Sequence, residues 1–158
     1  MKILVLQHLR AEHPGIFRNF LKEDGYEWFS VHLDEGQIPP PLDDFDALWV
    51  MGGPMDVWEE EKHPWLCNEK ILIREAVEER GMPFLGLCLG HQLLAEALGG
   101  KCGPAEHPEI GVKKVQLTDD GLTGVIFDAL PEAFSSLQWH SAEVKRMPAG
   151  AICLATSP

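Results

Sequence analysis

The sequence predicts an α/β protein with an open, mostly parallel sheet flanked by helices and extra β strands in its second half. Three observations carry this reading. Up to Gly100, short apolar runs alternate with helix-period segments, which is the grammar of βαβ units. An apolar run ending at Leu87 passes directly into a helix-like segment, with Gly86 and Gly90 on either side of the junction. Beyond Gly100 the helical period gives way to short β-like runs broken by turn residues.

Each element has a local reason. Lys2–Gln7 is apolar enough for a buried first strand, yet it is too short for a signal-peptide core or a membrane span. Pro14-Gly15 introduces a helix over Gly15–Glu23, and Glu27–Leu33 follows as a second strand. Pro39-Pro40-Pro41 is a stiff connector rather than a domain linker, because strand-like sequence resumes within a few residues on both sides. Ala47–Val50 forms a third strand and delivers the turn Gly52-Gly53-Pro54. In Trp65–Arg80, Leu66, Ile71, Leu72, Ile73 and Val77 form an apolar stripe near helical period, with Gly81 as the stop. Pro83–Leu87 is the fourth strand, and Leu89–Leu98 is a helix closed by Gly99-Gly100. The later β-like runs are Val112–Leu117, Gly124–Phe127, Ser136–Trp139, Glu143–Arg146 and Ile152–Ala155. Turns are expected at Asp119-Asp120-Gly121, Leu130-Pro131 and Pro148-Ala149-Gly150.

A chain of 158 residues with 45% hydrophobic and 24% charged residues suits a single domain over residues 1–158. Twenty-five acidic against 13 basic residues give a formal charge of −12, which disfavours nucleic acid and anionic membranes as partners. Cys67, Cys88, Cys102 and Cys153 are widely spaced without CxxC pairs, as expected of free thiols in a reducing cytoplasm. His8, His13, His32, His63 and His91 make no metal-ligand spacing with Asp, Glu or Cys, so neither a metal nor another cofactor is expected. Runs such as Glu59-Glu60-Glu61 and Asp43-Asp44 read as solvated surface.

The chemistry concentrates in Gly86-Leu87-Cys88-Leu89-Gly90-His91-Gln92. A cysteine at a strand-to-helix corner, with glycine two residues before and after it, has the pattern of a nucleophile elbow. The corner holds the thiol above the sheet edge, and the helix N-terminus that follows favours a thiolate. Leu89, the next residue, would supply one backbone N–H to an oxyanion hole. Gln92, about one helical turn on, can face the same pocket.

This stretch resembles the nucleophile motif of the class I (triad) glutamine amidotransferases. Met51-Gly52-Gly53-Pro54-Met55 resembles that family's glycine loop, Glu109-Ile110-Gly111 its post-helix segment, and Gln138-Trp139-His140-Ser141-Ala142-Glu143-Val144 its late histidine-bearing loop. The resemblance covers essentially the whole chain and is greatest to stand-alone members. It implies a flavodoxin-like glutaminase sandwich in which Cys88 is the nucleophile and Gly53 supplies the second oxyanion donor. It further implies that Gln92, Met55, His140, Ser141 and Ala142 hold the substrate glutamine. The implied reaction is attack of Cys88 on the side-chain amide, release of ammonia and hydrolysis of a γ-glutamyl thioester. The ammonia would pass to an acceptor enzyme or substrate that the chain does not specify.

The family's general base is a histidine followed two residues later by glutamate, late in the domain. The chain reaches Pro158 before the expected position of that segment, so a C-terminally incomplete domain is expected. His107-Pro108-Glu109 has the right letters, but it lies 19 residues after Cys88 and runs into Glu109-Ile110-Gly111, so it reads as coincidence. His140 is the best substitute base. Two other functions stay open: hydrolysis of another γ-glutamyl amide, and a noncatalytic binding or regulatory module.

Overall fold

The computed structural model describes residues 1–157. Strand β1 (Lys2–Gln7) lies between β2 (Glu27–His32) and β3 (Ala47–Val50), and β4 (Phe84–Gly86) completes a parallel sheet of order β2-β1-β3-β4. Both faces of the inner strands are covered, which explains why their sequences are continuous apolar runs rather than alternating ones. Leu4, Leu6, Leu48 and Val50 join one core with Leu66, Ile73, Leu89 and Leu93. Ile3, Val5 and Ala47 point the other way and pack with Leu21 and Met51.

Helix α1 (Phe17–Glu23) follows β1. Helix α2 (Trp65–Arg74) runs on into a π-helical turn at Glu75–Glu79 and stops at Gly81, whose φ of +60° needs a residue without a Cβ. Helix α3 (Leu89–Ala97) springs from the end of β4 and packs against α2 through the core that holds Leu66, Ile73, Leu89 and Leu93.

In the second half, β5 (Lys101–Leu117) and β6 (Ala133–Arg146) form a long antiparallel ribbon, to which β7 (Ala155–Thr156) adds on the far side of β5. Between them, Thr118 caps the short helix α4 (Asp119–Thr123) by accepting the Gly121 N–H at 3.1 Å.

Several expectations for this half need correction. Gly124–Phe127 is a turn and not a strand; capping by Thr118 draws the preceding residues into α4, and Val125 and Ile126 are left 85% and 71% exposed. The runs Ser136–Trp139 and Glu143–Arg146 are one strand, because His140-Ser141-Ala142 contains no breaker. The expected histidine-bearing loop is thus a strand segment. The expected strand Ile152–Ala155 shrinks to Ala155–Thr156, and Val112–Leu117 is the end of a strand that starts at Lys101.

Candidate active site

The corner between β4 and α3 is built from close backbone contacts. The Leu87 N–H donates to the Val50 carbonyl at 3.0 Å, and the Gly90 N–H lies 3.2 Å from the Met51 carbonyl, so the start of α3 is seated on the end of β3. A Cβ at Gly90 would stand 2.0 Å from the Val50 carbonyl oxygen, and one at Gly86 would stand 2.7 Å from the Gly90 backbone. Both positions therefore need glycine for space. Between them Cys88 adopts φ 51° and ψ −106°, the only positive φ outside glycine among the described residues. A β-carbon in that region carries strain of about 1–3 kcal/mol, which the surrounding contacts must hold.

The Cys88 residue is exposed, but its sulfur is not electrostatically favoured as a thiolate. The cleft walls withdraw it partly from bulk water and raise its pKa; the Leu89 N–H opposes this, and the Glu12 carboxylate adds to it. The net shift is upward, contrary to the expectation from the helix N-terminus alone. The rate of Cys88 alkylation by iodoacetamide in ligand-free protein should therefore inflect above the ordinary thiol range, and Glu12→Gln should move the inflection down. An inflection well below that range would mean that the helix terminus outweighs burial and Glu12.

Every site residue named from the sequence reaches one concavity. A cleft of ≈ 300 Å³ is lined by Gly53, Met55, Cys88, Leu89, Gln92, His140, Ser141 and Ala142, together with Pro54, Asp56, Ile110 and Trp139. It adjoins a broader cleft of ≈ 870 Å³ that also reaches Glu12, Gly52, His91 and Glu109. The parallel sheet supplies the corner and the glycine turn, and the β5–β6 ribbon supplies the facing wall. Sites of open α/β sheets form in this way, beyond the carboxyl ends of the strands.

Gln92 is 7% exposed, and its side-chain amide donates to the Ala142 carbonyl at 3.4 Å. Part of its hydrogen-bonding capacity thus ties α3 to β6. The Nε2 atom of His140 lies 3.0 Å from a Glu109 carboxylate oxygen, its in-register neighbour across the ribbon, while Nδ1 is buried without a protein partner. Glu109 therefore belongs with His140, and the exposed His107 of the triplet His107-Pro108-Glu109 lines neither cleft. Burial and the nearby His140 lower the pKa of His91.

Sequence reasoning missed four residues. Glu12 reaches the cleft from the loop after β1, and Glu109 partners His140. His8, at the end of β1, is fully buried and joins Glu69 of α2 to the carbonyl of Gly52. A histidine directly after an apolar strand-like run was the only trace of His8 in the sequence.

A parallel α/β sheet with a strained cysteine between its fourth strand and the next helix, opening on a cleft shared with a glycine turn, has the backbone pattern of a nucleophile elbow. The family model described as glutamine amidotransferase class-I matches residues 19–158, and the chain belongs to that family. It is 32% identical over 146 residues to the glutamine amidotransferase-like protein YfeJ of Salmonella typhimurium, covering 89% of this chain and 60% of that one. It is 34% identical to the glutamine-hydrolyzing GMP synthase subunit of Sulfolobus acidocaldarius, over 99% of this chain and 77% of the relative. Gamma-glutamyl peptidase 3 of Arabidopsis thaliana is 26% identical, over 96% of this chain and 63% of the relative. The chain thus spans less than two thirds of the length of both YfeJ and the peptidase. The crystal structure of a glutamine amidotransferase from Thermotoga maritima superposes with a TM-score of 0.89 at 30% identity, covering 99% of this chain and 67% of that one. Among the described residues, no helix is long and apolar enough to cross a membrane.

Proposed function

We propose that this chain carries the glutamine-hydrolysing half-reaction of an amidotransferase as a single cytoplasmic domain. Cys88 attacks the glutamine side-chain amide carbon, and the backbone N–H groups of Gly53 and Leu89 receive the developing oxyanion. The thiol proton passes to the departing nitrogen so that ammonia is released, and water hydrolyses the γ-glutamyl thioester to glutamate and returns a proton to the sulfur. Gln92, Met55, His140, Ser141 and Ala142 hold the amino-acid end of the substrate. The ammonia goes to an acceptor enzyme or substrate outside this chain. The observation that carries the reading is the shared cleft: the strained cysteine, the glycine turn and the substrate residues, drawn from distant parts of the sequence, line one cavity.

A second reading, hydrolysis of a different γ-glutamyl amide, has support in the similarity to a gamma-glutamyl peptidase. Intact mass spectrometry after treatment with a chloromethyl ketone analogue of glutamine tests both. Alkylation needs the nucleophile and the binding site but not a complete proton shuttle, so the experiment reads the corner and cleft by themselves. One adduct on the 17.6 kDa chain, placed on Cys88 and suppressed by free glutamine, is the expected result. Suppression by γ-glutamyl dipeptides but not by glutamine would favour the second reading. No adduct would leave a noncatalytic binding module.

A further inference from the structure

The geometry points to His8 and Glu69 as a buried positioning pair that aims the Gly53 N–H into the oxyanion hole by gripping the other end of the same peptide unit. This inference rests on the amidotransferase reading and deepens it. His8 is 0% exposed and Glu69 2% exposed, and Trp65 stacks on the imidazole with ring centroids 5.5 Å apart. The Nδ1 atom of His8 lies 2.9 Å from the Gly52 carbonyl oxygen, and Nε2 lies 3.0 and 3.1 Å from the two carboxylate oxygens of Glu69.

Donor and acceptor rules fix where the protons sit. A carbonyl oxygen only accepts, so Nδ1 must carry hydrogen. An ionised carboxylate also only accepts, so Nε2 carries a second hydrogen, unless that proton rests on Glu69 itself. In either form the pair is neutral overall and donates firmly to Gly52. The raised pKa of His8, in which the Glu69 contacts and the Gly52 carbonyl outweigh the opposing effect of burial, agrees with this.

The geometry of the peptide bond does the rest. The Gly52 C=O and the Gly53 N–H belong to one planar trans unit and point in opposite directions. With the oxygen held against His8, the N–H faces away from the imidazole, toward the side on which the cleft opens. An anchor is needed because a Gly-Gly turn has no Cβ to hinder rotation of that peptide. Crowding adds to it: a Cβ at Gly53 would stand 2.9 Å from His8 Cβ and 2.9 Å from Leu89 Cδ2, so the turn is wedged between the pair and the elbow.

The test compares two alkylating reagents on the full chain. With the chloromethyl ketone analogue of glutamine, the Cys88 sulfur adds to the ketone carbon and the carbonyl pair moves onto oxygen as an alkoxide. Sulfur then displaces chloride from the adjacent carbon, and its first bond, to the former ketone carbon, breaks as the alkoxide pair re-forms the C=O, leaving the thioether. Iodoacetamide takes the same sulfur by direct displacement of iodide and develops no oxyanion. His8→Ala should slow the chloroketone by about 100-fold, the range for loss of one oxyanion donor, and leave the iodoacetamide rate within about twofold. His8→Asn, whose amide can still donate to Gly52, should recover most of the lost rate. Glu69→Gln should be mild, because a neutral imidazole can keep both bonds.

Equal slowing of both reagents by His8→Ala would show a merely structural role and overturn the inference, as would no slowing of either. Wild-type protein that takes iodoacetamide but not the chloroketone would instead refute the amidotransferase reading, and the inference with it. If the variants do not fold, nitrogen-15 NMR of the wild-type His8 ring decides. A hydrogen on Nδ1 that persists across neutral pH is expected, and an Nδ1 without one would overturn the proposal.

Discussion

Replacing Cys88 with alanine is expected to abolish formation of the glutamine-analogue adduct and to lower any glutamine hydrolysis by at least about 1,000-fold, as removal of a covalent nucleophile does. Cys67, Cys102 and Cys153 should each be dispensable for the adduct. Cys67 and Cys153 are exposed but line neither cleft, and Cys102 is buried with its thiol pushed up to about 11 by burial and Glu96. Peptide mapping of the labelled wild type and of the four single variants separates these cases. An adduct that survives Cys88→Ala would remove the nucleophile assignment altogether. The same position also reports strain. Because Cys88 holds φ 51°, Cys88→Gly should be about 0.5–1 kcal/mol more stable than Cys88→Ala, the relief of strain exceeding the extra flexibility gained by the unfolded chain.

The second large effect is expected at Gly90. An alanine Cβ there would be 2.0 Å from the Val50 carbonyl oxygen, so α3 must lift off the end of β3. That movement would disturb Leu89 and Leu93, which are 1% and 0% exposed in the main core. A loss of about 3 kcal/mol or more follows, at the upper end for overpacking, and it corresponds to roughly 10 °C in melting temperature for a domain of this size. Thermal denaturation by circular dichroism measures it. A Gly90→Ala protein that melts within a degree or two of wild type would mean that the contact between α3 and β3 yields easily.

The parallel sheet was legible because its strands are buried on both faces and therefore appear as unbroken apolar runs, as in Ile3-Leu4-Val5-Leu6. The ribbon was harder to read. One side of β5 and β6 faces solvent, with Val112 and Trp139 72% and 73% exposed, and Pro104 and Pro108 fall within β5 beside a register shift that spares the ladder their missing donors. Prolines that would end a central strand thus mark a bulge in a continuous one. At the candidate site, residues set by the local elbow pattern, such as Cys88, Leu89 and Gln92, could be read from spacing alone. The gathering of Gly53 and His140 into the same cleft came from the family resemblance. The contact between His8 and Glu69 was invisible, because it spans 61 residues and neither neighbourhood carries a motif. The expected thiolate failed for a related reason: the helix terminus is local and visible in sequence, whereas the burial that chiefly raises the thiol, and the Glu12 carboxylate that adds to it, come from cleft walls assembled across the fold.

The two walls of the cleft belong to different sheets, joined near the site by the Gln92 amide on the Ala142 carbonyl. In the proposed reaction Cys88, Leu89 and Gly53 act from the parallel core together with Gln92 and Met55, and the ribbon adds His140, Ser141 and Ala142 as the facing wall. Such a division makes the protein modular. Under the proposed function, substitutions along β5 and β6 would retune which amide is accepted while leaving the corner between β4 and α3 in place.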